Sequence, residues 1–255
     1  MSRLHETSAG AGNNSGGSLS GALTYALIIV GAIIASSIAA IALAVVLRQN
    51  SDLSDSRYER DSLLESMTDS MADPLIEPEQ YFSVFDENMR EINPDYVCWI
   101  NIDGTPVDYP VVRGSDNEKY LTHNFSGEEN MFGALFMDYR CIGDYVPHII
   151  IYGHNSRQGD MFGSLRNYLD GQYLADHPVI TLKVNDRIVE YEVFSAKKTD
   201  AYDPVYFLDF RAPGSFRSFL EMCGAPSGAV QIITLSTCVS GDDEDERVIV
   251  QGVLR

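Results

Sequence analysis

Basic side chains are few in this chain. Eighteen lysines and arginines stand against 37 aspartates and glutamates, a formal net charge of −19. Nucleic-acid binding needs basic patches that displace condensed counterions, so nucleic acid is not an expected partner. Adhesion to anionic lipid headgroups is disfavoured on the same ground. Cysteine is sparse as well: four residues, with no CxxC pair and no zinc-ligand spacing. A structural metal site is therefore not expected. The acidic run Asp242-Asp243-Glu244-Asp245-Glu246 offers the oxygen ligands that hard cations favour, but consecutive carboxylates lack the alternating spacing of an EF-hand loop. We read it as a solvated loop and expect no metal and no cofactor. No internal repeat is present.

Charge is missing altogether from Ala22 to Leu47, 26 residues made mostly of Ala, Ile, Leu and Val. About 20 apolar residues span a bilayer core. A cleaved signal peptide is the rival reading, and small residues near Ala40 and Ala42 suit a peptidase. Its apolar region usually runs only about 7–15 residues, so we expect an uncleaved single-pass anchor over 22–47. Charge leaves the orientation open. Arg3 flanks one side and Arg48, Arg57 and Arg60 the other, a weak lean toward a cytoplasmic C-terminal part. Long hydrophilic domains are translocated largely regardless of such counts.

Residues 1–21, rich in Gly, Ser, Ala and Asn, read as a disordered tail. Residues 48–92 read as an acidic helical stalk. Leu64, Met67 and Met71 share one helical face, Pro74 and Pro78 interrupt it, and Tyr81, Phe85, Met89 and Ile92 mark a second amphipathic helix. From about 93 to 255 the pattern turns strand-like. Strands are predicted at 97–102, 107–113, 134–138, 148–153, 178–184, 187–197, 230–237 and 247–254, and short helices at 116–121, 161–169 and 214–222. Asn185-Asp186 reads as a tight hairpin. About 160 residues with eight short strands define a mainly β domain, one closed or nearly closed barrel with peripheral helices. Cys98 and Cys223 read as small buried hydrophobes, the latter on the stripe Phe216, Phe219, Leu220, Cys223.

Two apolar, β-branched runs carry the chemistry. Ile232-Ile233-Thr234-Leu235-Ser236-Thr237-Cys238 ends on a thiol, and Ile149-Ile150-Ile151-Tyr152-Gly153-His154 leads to an imidazole. The thiolate is the attacking form, and an adjacent imidazole takes the proton or stabilises the anion. An attacked carbonyl becomes an oxyanion that needs a donor nearby. Arg247, nine residues past Cys238 at the start of the last apolar run, returns toward the thiol across a strand–loop–strand hairpin. Cys238, His154 and Arg247 thus form a candidate nucleophile, acid/base and oxyanion stabiliser. Each taken alone has a blander reading: a buried filler, a loop histidine and a solvated edge charge.

The strings Thr234-Leu235-Ser236-Thr237-Cys238 with Arg247, and Tyr152-Gly153-His154-Asn155, resemble the signatures of the sortase family. The segments Asp108-Tyr109-Pro110-Val111-Val112, Asp116-Asn117-Glu118-Lys119-Tyr120-Leu121 and Gly133 to Arg140 are similar to class B sortases, over roughly residues 80–255. The resemblance implies a membrane-anchored cysteine transpeptidase of a Gram-positive surface, its catalytic domain outside the cell. It implies cleavage of a C-terminal sorting motif of surface or pilin proteins and a thioacyl-enzyme. The acyl group would pass to an amine of a cell-wall precursor or pilin, and the acidic loop near Arg247 would steer a cationic acceptor. Asn124 falls where class B enzymes contact substrate. Ser236 and Thr237 flank the nucleophile and are candidate substrate hydrogen-bond donors; Tyr202, Tyr206 and Phe207 are candidate walls of a peptide groove. The rivals are a cysteine peptidase that only hydrolyses and a non-catalytic wall-binding or pilus-assembly module.

Overall fold

The computed structural model describes residues 17–72, 81–143, 145–185, 187–238 and 245–255, with the side chains of 17–22, 69–72 and 238 outside that description. The chain divides into two compact units, one ending at Asn50 and the other running from Ser51 to Arg255. Helix α1 covers Gly17–Ala72. It begins inside the stretch expected as tail, and the apolar run and the first stalk helix are continuous within it. Its apolar part reaches a mean hydropathy of 2.7 and is long enough to cross a membrane.

The second unit is built on eight strands: β1 (Tyr96–Asn101), β2 (Asp108–Val112), β3 (Leu135–Met137), β4 (His148–Tyr152), β5 (Val179–Val184), β6 (Arg187–Asp200), β7 (Ile232–Cys238) and β8 (Glu246–Leu254). They close into a barrel in the order β1-β2-β3-β4-β7-β8-β6-β5. Pairs β2/β3 and β4/β7 are parallel and the others antiparallel. Each predicted strand is present, β6 reaching past its expected end to Asp200. A register shift at Val193/Ser195 lets this long strand bend around the barrel. Val184 pairs with Arg187, and Asn185 has φ +45°, as a two-residue hairpin turn requires; Asp186 lies outside the described residues. Inward-facing residues such as Ile100, Val111, Ile151, Ile180, Leu235 and Val250 fill the interior.

Helical expectations held less well. Of 116–121 only Lys119–Leu121 forms a three-ten turn, because the Asp116 carboxylate accepts from the N–H groups of Glu118 and Lys119 and holds the preceding residues as a cap. A three-ten segment occupies Gly163–Leu169. Two short elements were not anticipated. Helix α3 (Gly171–Asp176) is capped by Asp170, and a three-ten turn at Pro204–Tyr206 is capped by Asp203 with Pro204 in its first turn. Helix α4 (Ser215–Cys223) follows the expected stripe, although only Phe219 on it is fully buried. Cys98 and Cys141 are buried and free, and burial pushes their thiols up to about 12 and about 11.

A second core lies outside the barrel wall, between β1–β3, the C-terminal part of α1 and helix α2 (Tyr81–Ile92). Trp99 is fully buried there, edge-on to Phe85 at 5.6 Å, with its N–H donated to Asp108. Leu53, Ser56, Leu63 and Met67 form the buried stripe of α1, and Phe85 and Met89 that of α2. Ile92, the last residue of α2, is 48% exposed because the helix ends there beyond the covered surface. Charged residues of α1 also have partners. Arg57 makes two hydrogen bonds, 2.9 and 2.6 Å, to the buried Asp160, and Glu59 accepts from the N–H groups of Phe125 and Ser126. The stretch expected as a stalk thus belongs, from Ser51 onward, to the barrel unit.

This packing carries a prediction. Burying a Leu or Met side chain contributes about 1.5–3 kcal/mol, so a chain of residues 75–255 should unfold at a clearly lower temperature and denaturant concentration than one of residues 51–255. Thermal unfolding of the two checks it; equal midpoints would mean that the α1 contacts contribute nothing to stability.

Candidate active site

The barrel register decides which residues meet. Along the parallel β4/β7 pair Ile151 lies opposite Leu235 and Tyr152 opposite Ser236, and the Gly153 N–H donates to the Ser236 carbonyl at 3.1 Å. The chain then reaches His154, level with the end of β7 at Cys238. On the other flank, antiparallel β8 sets Arg247 opposite Cys238. The three candidate residues therefore come from neighbouring strands at one rim of the barrel. Gly153 has no room for a side chain: a Cβ there would sit 2.3 Å from Leu135 and 2.8 Å from Phe162. Its absence lets the strand lie against the core and turn His154 out to the rim.

A cleft of about 310 Å³ opens at this rim. His154, Arg247, Ser236, Thr237 and Tyr206 line it. The His154 Nε2 lies 2.7 Å from the Leu121 carbonyl. A carbonyl only accepts, so Nε2 carries a hydrogen and Nδ1 is the basic nitrogen. Burial lowers the imidazole below its ordinary value, against a smaller upward effect of the Leu121 bond; the ring is neutral near pH 7. The loop after His154 curls back, with the Phe162 N–H on the His154 carbonyl and Asp160 on Arg57. The Arg247 guanidinium donates to the Glu246 carbonyl at 3.1 Å.

Ser236 and Tyr206 share a 2.8 Å hydrogen bond, and the Tyr206 ring stacks on Tyr152 at 6.3 Å. The Thr237 hydroxyl is buried with no hydrogen-bond partner among the described residues. Asn124 and Tyr202 are not brought into the cleft. Asn124 is buried in its own turn, where its carboxamide oxygen accepts from the Glu128 N–H at 2.8 Å. Tyr202 is 83% exposed on the turn after β6. Phe207 follows Tyr206 but does not line the cleft. Residues 239–244, most of the acidic loop, lie outside the described residues.

Another wall was missed. Asn117, Leu121, Phe136, Arg140 and Tyr152 also line the cleft. Behind them the fully buried Asp138 carboxylate accepts from Arg140 Nε and Nη2, both at 2.8 Å, and from Asn117 and Tyr152 at 3.0 Å. Burial pushes this carboxyl up, but the bonds from Arg140 and Asn117 outweigh it and hold it below the ordinary range. The segments Asp116–Leu121 and Gly133–Arg140 resemble class B strings in the sequence, a signal that carries no role by itself.

A rim where β7 ends on a cysteine, beside a cleft lined by an imidazole and a guanidinium, carries the residue types of thiol-based acyl transfer. Comparison with known proteins gives the family. A family model for the sortase domain matches residues 100–255. Sortase B of Listeria monocytogenes is 34% identical over 180 residues, covering 66% of this chain and 72% of its own. Sortase B of Staphylococcus aureus is 32% identical over 174 residues, 64% and 71% of the two chains. Among solved structures, a mutant form of Clostridium perfringens sortase B has a TM-score of 0.69 at 27% identity, covering 77% of this chain and 97% of that one. A Staphylococcus aureus sortase B–substrate complex has a TM-score of 0.67 at 26% identity, with 82% and 98% covered. The chain belongs to the sortase family, and its relatives make it a class B sortase. Sortases of this kind are cysteine transpeptidases.

Proposed function

We propose that this chain is anchored in the membrane by the apolar part of α1, with its barrel outside the cell. There it cleaves a C-terminal sorting motif of surface or pilin proteins and transfers the acyl group to an amine of a cell-wall precursor or pilin. Cys238 is the nucleophile. Its thiol proton passes to His154 Nδ1 as the sulfur attacks the scissile carbonyl carbon. The resulting oxyanion is stabilised by Arg247. Collapse breaks the C–N bond, and the leaving amine takes the proton from His154, which leaves a thioacyl-enzyme. The incoming amine then attacks the thioester, gives a proton to His154, and the thiolate departs and is reprotonated. The unpaired Thr237 hydroxyl and the Tyr206–Ser236 pair serve the bound peptide.

The observation that carries this reading is the register of β4, β7 and β8, which ends β7 at Cys238 opposite Arg247, beside a cleft lined by His154 and Arg247. The test is incubation of residues 51–255 with a sorting-peptide library and an amine acceptor. Transfer product supports the reading, hydrolysis alone identifies a peptidase, and no cleavage of any peptide identifies a binding module.

The rate should be bell-shaped in pH, with both limbs belonging to the Cys–His pair. The imidazole must be neutral to accept the thiol proton. Since burial lowers its pKa, the acid limb should fall below the ordinary histidine value of about 6.5. A pH–rate profile of kcat/KM checks this; an acid limb well above that value, or a flat profile, contradicts it.

A further inference from the structure

His148 takes no part in the chemistry proposed above, yet it is the hub of a buried polar chain. It is the first residue of β4 and has no exposed surface. Its Nδ1 lies 2.9 Å from the Phe207 carbonyl, so Nδ1 carries the hydrogen. Its Nε2 must then accept, and the Thr234 hydroxyl donates to it at 2.8 Å. Thr234 in turn accepts from the Gln251 carboxamide of β8 at 3.1 Å. Burial pushes the imidazole down to about 4, which keeps the ring neutral, and the two hydrogen bonds hold this tautomer in place. Phe219 of α4 packs on the ring at 4.8 Å.

The connection from β6 to α4, residues 201–214, carries the cleft-wall residue Tyr206, and Phe207 is its neighbour. On β7, Ile233 and Leu235 point into the barrel, so Thr234 and Ser236 present successive positions of the opposite face. The connection is fastened to both. Tyr206 bonds Ser236 directly, and Phe207 reaches Thr234 through the imidazole of His148.

We propose that His148 is a positioning residue for peptide binding: it fixes the 201–214 connection so that Tyr206 stands correctly in the cleft. This rests on the sortase reading of the cleft. Three substitutions separate the role from general stability. His148→Asn keeps a donor near the Nδ1 position, facing Phe207. His148→Gln reaches instead toward the Nε2 position and Thr234. His148→Ala loses both. Hydrogen–deuterium exchange over 201–214, the melting temperature, kcat and KM for a sorting peptide are measured on each. One buried hydrogen bond corresponds to about a tenfold effect. The Gln and Ala variants should raise exchange in 201–214 and raise KM about tenfold, with kcat little changed. The Asn variant should stay near wild type in both exchange and KM, even where it melts as low as the Gln variant. If Asn and Gln share one KM and one exchange rate, or if only the melting temperature moves, His148 is merely structural and the proposal is overturned. A fall in kcat at constant KM overturns it too. A wild type that processes no peptide sinks the function itself, whereas a working wild type with indistinguishable Asn and Gln variants sinks only the role given to His148.

Discussion

Cys238→Ala should reduce peptide transfer to background, a loss of about 10⁶-fold if the nucleophile acts as in other triad enzymes, while the melting temperature stays close to that of the wild type. The two halves of this expectation have different physical origins. The activity is lost because the thioacyl bond has no other sulfur to form on. Cys98 and Cys141 are buried and their thiols are pushed far above the ordinary range. Cys223 is half-buried, raised by burial, and bonded to Gln251 away from the rim. The fold survives because Cys238 is the last residue of β7, and the backbone pairing with Arg247 does not depend on its side chain. Mass spectrometry of the protein after incubation with a sorting peptide adds the direct observation, an acyl adduct on the wild type and none on the variant. An Ala variant that still turns over peptide would remove Cys238 from the mechanism.

What could be read from the sequence divides along a physical line. Strand positions were legible because apolar runs such as Ile149–Ile151 and Ile232–Leu235 report burial on both faces, and turn residues mark their ends. The order of strands around the barrel was not. The β4/β7 pairing joins residues 84 positions apart in the chain, as Ile151 and Leu235 are, and nothing local encodes it. At the rim, the return of Arg247 toward Cys238 was legible as a local hairpin, whereas the placing of the β4 end that leads to His154 beside β7 follows from that non-local register. The partners of the α1 charges were hidden for a related reason. Arg57, Glu59 and Asp52 are part of an acidic stretch in the sequence, yet each bonds a barrel loop. Composition sees the charge and not its partner.

The cleft walls show the same limit at finer scale. Tyr206 lines the cleft and Tyr202, four residues earlier, does not. The difference is the turn at Pro204–Tyr206, which sets where each ring goes and follows from Asp203 capping and the proline rather than from aromatic content. Asn124 looked like a polar contact and instead closes its own loop. Asp138 and Arg140 carry no assignable role in the sequence, because an Asp–x–Arg string means little until Asn117 and Tyr152 converge on the same carboxylate.

Arg247→Ala should slow peptide cleavage about 100- to 1000-fold, the typical cost of removing one oxyanion donor, and Arg247→Lys should remain impaired, though less so. Lysine preserves the charge but not the planar fork of donors, and the fork matters when one guanidinium must face an oxyanion while also donating to the Glu246 carbonyl. The alternative role is to hold the thiol as its anion. The two differ in a measurable way. Alkylation of Cys238 by a small haloacetamide needs the thiolate but passes through no tetrahedral oxyanion, so an oxyanion stabiliser leaves it nearly unchanged and a thiolate stabiliser does not. Backbone pairing of Arg247 with Thr199 on one side and Cys238 on the other gives the strand its place without help from the side chain, so loss of fold is not the expected cause of either effect. Measuring both rates on the same three proteins decides the matter. Peptide cleavage reduced with alkylation intact assigns the oxyanion to Arg247; an equal fall in both transfers its role to the thiolate.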